Sequence, residues 1–130
     1  MSAASDIVCR LAYAGLVLER GQGQHLRIES PLGSPLSDEL RAQVVSHRDE
    51  LIGWLAWCEI ADALLLETSR RVAAQCPRGC PLDDVAWRAA EQVLREAHQS
   101  QDLTVFREAL ERYEYFALKY FAIYRNGAKR

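Results

Sequence analysis

Apolar residues recur at helical spacing from Ile7 through Leu11 to Ala14, with Ser5 and Asp6 as cap candidates in front and Gly15 behind. The chain is therefore expected to open with a helix that stops at a left-handed glycine. The period then falls from 3.6 to 2. Leu16 and Leu18 alternate with Val17 and Glu19, and after Arg20-Gly-Gln-Gly-Gln24 the alternation resumes with Leu26 and Ile28 against Arg27 and Glu29. Two short strands around a loop whose Gly21 and Gly23 supply positive φ predict a β-hairpin. Ser30-Pro-Leu-Gly-Ser-Pro35 is a breaker segment, after which Ser37 caps a helix with Asp38 and Glu39 in its first turn. That helix is read as carrying Leu40, Val44 and Val45 inward. Ser46-His-Arg-Asp49 marks a break into another helix, with Leu51, Ile52, Trp54 and Leu55 as its apolar stripe.

The second half reads as helical throughout. A helix over about 59–75 has Ile60, Leu64, Leu65 and Val72 as buried candidates, and Gln75-Cys-Pro-Arg-Gly-Cys-Pro81 ends it. Asp83 or Asp84 caps a helix over about 84–99 bearing Ala86, Ala89, Ala90, Val93, Leu94 and Ala97. Gln99-Ser-Gln101 links it to a last helix over about 102–125, capped by Asp102. There Leu103, Phe106, Leu110, Tyr113, Ala117, Tyr120 and Tyr124 alternate at three and four. Tyr115, Phe116, Leu118, Phe121 and Ile123 make its other faces apolar too. Two readings stay open: the core of a helical bundle, or a homodimer or partner interface through Tyr113, Phe116, Tyr120, Phe121 and Tyr124. The expected fold class is α+β, a small αββαα module over 5–57 followed by an all-α extension of two to three helices over 58–126.

Composition narrows the function classes. The 130 residues are 49% hydrophobic and 26% charged, ordinary for a folded domain, and carry a formal net charge of -2. Residues 1–57 hold five Arg against seven acids, and residues 58–130 hold eleven basic and eleven acidic residues. Neither half is basic, so nucleic acid and anionic membranes are not expected partners. The longest apolar run, Leu51–Cys58, is far shorter than the roughly 20 residues of a membrane span. The first residues, Met-Ser-Ala-Ala-Ser-Asp6, show no basic region and no apolar core of a signal peptide. A cytoplasmic location with reduced cysteines is the expectation. Arg outnumbers Lys fourteen to two, a bias that fits a GC-rich bacterial source.

The ordered set Ile7-Val-Cys-Arg-Leu-Ala-Tyr-Ala-Gly15, Leu16-Val-Leu18, His25-Leu-Arg-Ile-Glu-Ser-Pro-Leu-Gly33, Leu36-Ser-Asp-Glu-Leu40 and Arg48-Asp-Glu-Leu-Ile-Gly-Trp-Leu55 resembles the TubC N-terminal docking domain family. These are small modules found at the start of some nonribosomal peptide synthetase subunits, and the resemblance covers about residues 5–57. It implies an αββαα fold and a non-enzymatic docking or adaptor role, in which a short peptide of a partner protein binds along the exposed hairpin. Carried over, that surface is Leu16, Leu18, Arg20, His25, Arg27 and Ile28. The physics would be β-augmentation, a strand edge supplying main-chain hydrogen bonds while side chains select the partner. The alternative is an accessory or regulatory protein of a bacterial mobile element or phage, acting on a nucleic-acid-processing complex.

Chemistry is sparse. Cys76-Pro-Arg-Gly-Cys80 could offer two thiolates to a metal, with Cys58 and His98 to complete the set, or could close a disulfide. No second closely spaced pair accompanies it, so both cysteines are expected to flank a turn and no metal or other cofactor is expected. Cys9 and Cys58 are read as small core residues. His25, His47 and His98 are scattered, and no nucleophile–base spacing, phosphate loop or nucleotide fingerprint occurs. Catalysis is not expected.

Overall fold

The structure is a computed structural model and describes residues 2–81 and 85–128. Among these the fold is α+β, one antiparallel hairpin with five helices: α1 (Ala3–Tyr13), β1 (Val17–Arg20), β2 (Leu26–Glu29), α2 (Asp38–Ser46), α3 (Arg48–Gln75), α4 (Val85–Ser100) and α5 (Leu103–Ala128). The chain divides into two compact units, Met1–Glu59 and Ile60–Arg130.

In the first unit α1 begins earlier than Ser5. Ser2 is the cap, its hydroxyl accepting from the Ser5 amide at 3.2 Å, and Asp6 instead lies in the first turn, paired with Arg10 at 3.2 Å. The helix ends as expected at Gly15, whose φ is +77°. The Gly15 amide donates to Ala12 O at 3.0 Å and the Leu16 amide to Leu11 O at 2.9 Å, the paired bonds of a Schellman motif. Leu11 and Leu16, the residues such a motif brings together, are both buried. Cys9 is exposed rather than core, because the buried stripe runs Ala4, Ile7, Leu11 and position 9 lies off it.

The hairpin pairs Val17 with Glu29, Leu18 with Ile28, Glu19 with Arg27 and Arg20 with Leu26. In its loop Gly23 takes positive φ and Gly21 does not. Ser30-Pro-Leu-Gly33 closes a turn in which the Gly33 amide donates to Ser30 O at 3.0 Å. Ser37 then caps α2, accepting from the Leu40 amide at 3.2 Å. Val44 is buried, but Val45 is 70% exposed, against the inward reading for both. Val44 is buried along with Ala4, Ile7, Leu18, Leu51, Trp54 and Trp57, the core residues of this unit.

The expected break near residue 57 is absent. Leu55-Ala-Trp-Cys-Glu-Ile60 contains no glycine, proline or cap residue, so α3 runs on without interruption to Gln75. In the second unit its buried positions are Ala61, Thr68 and Val72, while Ile60 is exposed. Val72 is buried as expected and Leu64 and Leu65 are half-buried, so of the expected stripe only Ile60 gives way, to Ala61. The expected caps Asp83 and Asp84 lie outside the described residues. On α4 the buried positions are Trp87, Ala90, Leu94 and Ala97, so Ala86, Ala89 and Val93 face outward. Asp102 caps α5, Oδ1 accepting from the amides of Thr104 at 3.0 Å and Val105 at 3.2 Å. Val72, Trp87, Ala117 and Phe121 form a core cluster, with Tyr113 and Tyr120 packed against it. Phe121 meets the Trp87 ring edge-on at 5.6 Å between centroids.

Candidate functional site

In the first unit a groove of about 560 Å³ lies between the hairpin and α2. Its apolar surface comes from Leu16, Leu26 and Ile28 of the hairpin segment, and from Leu36, Val44 and Val45. The alternation of the hairpin sends Leu26 and Ile28 to the groove side and Arg27 and Glu29 to the other. Val45 explains itself here: adjacent to buried Val44 on α2, it lines the groove instead of the core.

Three basic side chains from three elements line the same groove: His25 from the hairpin loop, Arg41 from α2 and Arg48 from the start of α3. No carboxylate lines it. Arg48 donates to the Gln24 carbonyl, which ties α3 to the hairpin loop. Arg41 makes no ion pair among the described residues, so its charge is available to a ligand. Ser30 and Ser34 finish the wall, with the Ser30 hydroxyl donating to Ser34 O at 2.7 Å.

The edge of β2 borders this groove. The Gly21 amide donates to His25 O at 2.8 Å, which makes 21/25 a hydrogen-bonded pair. Alternation along the ladder then makes 19/27 and 17/29 the bonded pairs, and 20/26 and 18/28 the unbonded ones. The amides and carbonyls of Leu26 and Ile28 consequently point away from β1, and among the described residues they have no backbone partner.

The hairpin residues singled out from the sequence fall into three groups. His25 and Ile28 line the groove. Leu16 lines it too, yet is nearly all buried, and Leu18 is a core residue. Arg20 and Arg27 are engaged elsewhere, Arg20 with Glu59 at 2.8 Å and Arg27 with Glu19 at 2.5 Å and Glu29 at 3.1 Å. The hydrogen bond that Arg27 donates to Glu19, and then the charge of Glu29, hold its guanidinium above the ordinary pKa. Sequence reasoning missed Arg41, Arg48, Val45 and Leu36 as groove residues. No local signal marks them, since one helix face readily buries adjacent residues, as α5 buries Ala109 and Leu110.

On α5, Phe121 is 1% exposed, and Tyr113 and Tyr120 lie against Trp87 at 6.1 and 6.0 Å between centroids. Phe116 is half-buried beside Tyr115, and the Tyr124 hydroxyl donates to Gly79 O at 3.1 Å. What α5 exposes is a different set, Tyr115, Leu118 and Ile123. His47 lies 3.5 Å from Glu50 and His98 lies 3.7 Å from Asp62, each on a separate helix surface. Among the described residues, no group of three or more His, Cys, Asp or Glu side chains could hold a metal ion. Nor is any described helix long and apolar enough to cross a membrane. No family model, curated protein or solved structure matches the chain.

Proposed function

We propose that this chain is a protein-docking module that binds an extended peptide of a partner protein in the groove between β2 and α2. The resemblance of residues 5–57 to the TubC docking domains suggested the hairpin. The observation that carries the reading is the pair of outward-facing amides and carbonyls at Leu26 and Ile28, bordering an apolar groove. Main-chain pairing along that edge would supply affinity, and alternate side chains of the peptide would drop into the groove. His25, Arg41 and Arg48, with no carboxylate among the lining residues, favour a peptide carrying acidic residues.

Ile28→Pro is the sharpest test. It deletes the outward amide at position 28 without touching a ladder bond, since edge strands tolerate proline where the missing N–H faced away. A displayed library of random peptides is selected on the wild type, and the enriched peptides are synthesised and titrated by fluorescence anisotropy. Peptides alternating apolar and acidic residues are expected, with affinity reduced roughly tenfold or more by Ile28→Pro, the loss of a hydrogen bond in a partly dry site. Arg41→Glu should weaken the same peptides, and more so at low salt. Enriched peptides that bind both variants as well as the wild type would sink the proposal.

A further inference from the structure

The Cys76-Pro-Arg-Gly-Cys80 segment turns back at its glycine with a cysteine on either side. The Cys80 amide donates to Pro77 O at 3.1 Å and Gly79 has φ +75°, a type II turn with glycine where that turn requires it. The Cys76 thiol donates to Pro77 O and the Cys80 thiol to Pro81 O, each at 3.7 Å, and both cysteines pack on the cluster of Val72, Trp87, Ala117 and Phe121. They are not covalently joined. The backbone on either side is held by α5: Tyr120 donates its hydroxyl to Pro81 O at 2.7 Å, Tyr124 donates to Gly79 O at 3.1 Å, and Arg125 donates to Gln75 O. Three side chains of one helix thus fix the carbonyls of a seven-residue segment whose two cysteines rest on the same cluster.

We propose that Cys76 and Cys80 are a reversible dithiol–disulfide site that exchanges with low-molecular-weight disulfides. The Cys76 thiolate attacks one sulfur of the small disulfide, forming a mixed disulfide and expelling the first small thiolate. Cys80 then gives its proton to solvent and attacks the Cys76 sulfur, forming the Cys76–Cys80 bond and releasing the second small thiolate. The protein loses two electrons and two protons, and the small disulfide becomes two thiols. Only three residues separate the sulfurs and the turn is already formed, so little chain entropy opposes closure. Burial, followed by the neighbouring Cys76, pushes the Cys80 thiol above its ordinary range. It is therefore slow to become a thiolate, which assigns it the second, resolving step.

The test uses the full chain, equilibrated in graded mixtures of reduced and oxidised glutathione, alkylated and mapped by mass spectrometry. The exposed thiol of Cys9 is the internal reference. The expected result is a 76–80 peptide that has lost two hydrogens and resists alkylation, while Cys9 carries a glutathione adduct, and excess reduced glutathione restores both thiols. Resolution of the mixed disulfide should quicken as pH rises from about 7 to 9, because Cys80 must ionise. With Cys80→Ser, glutathione should stay on Cys76. Stable glutathione adducts on Cys76 in the wild type, or two alkylatable thiols under conditions that modify Cys9, would overturn the proposal. The wild-type peptide map decides the matter whether or not the variant folds.

Discussion

Gly15 and Gly53 stand in opposite situations. Gly15 has φ +77°, and a Cβ there would meet the Ser34 hydroxyl oxygen at 2.9 Å. Gly53 lies inside α3 with nothing within 4 Å of such a Cβ. Gly15→Ala is expected to destabilise the protein by about 1–2 kcal/mol, the strain of a left-handed L-residue. Gly53→Ala is expected to stabilise it by about 0.5–1 kcal/mol, since alanine gives up less chain freedom in a helix. Thermal and urea unfolding of the two variants would check both signs. At this scale much was legible from sequence. Gly15, Ser37 and Asp102 were each identified correctly as stop or cap, because a cap is decided by a few neighbouring residues. Ser2 was not, because Ser5 and Asp6 offered an equally good local signal and only the packing of Ala4 and Ile7 chooses between them.

Elements were legible where a pattern was unambiguous and lost where two patterns competed. The hairpin, α2 and α5 came through, since period 2, a capped short helix and a long three–four alternation each have one reading. On α4 the expected set mixed two faces: Ala90, Leu94 and Ala97 are buried, Ala86, Ala89 and Val93 are not, and Trp87 was passed over. Trp87 actually sets the face, with Ala90, Leu94 and Ala97 following it inward. The groove was harder still: nothing local tells which of Val44 and Val45 the hairpin will leave uncovered. The link between α4 and α5 gives a prediction of its own. Gln101 is the non-glycine residue with positive φ, 56°, among the described residues, and Asp102 beside it caps α5 through two amides. Asp102→Ala should cost about 1 kcal/mol, and Asp102→Asn a fraction of that, because asparagine keeps the accepting oxygen. Chemical denaturation of the pair, compared at equal slope, separates the cap from a general loss of charge.

For the molecule as a whole, charge is the firmest guide. With a net charge of -2 and neither half basic, little long-range attraction for a polyanion such as DNA is expected. A labelled mixed-sequence DNA duplex is expected to show no affinity tighter than about 10⁻⁴ M at physiological salt, the weak end of non-specific binding. Saturable binding that weakens steeply with added salt would restore the reading of an accessory protein touching DNA itself. The expected division at 57 and 58 lies two residues from the one found, at Glu59 and Ile60, although α3 crosses that point without a break. One feature of the hairpin also bears on behaviour in concentrated solution. A bare strand edge will template any extended segment that meets it, another copy of itself included. β2 is four residues long, exposes the outward groups of only Leu26 and Ile28, and carries the Arg27 and Glu29 charges on its far face. Such an edge is too short, and too charged on one side, to seed a growing stack. The brevity of this strand therefore guards the chain against fibril formation.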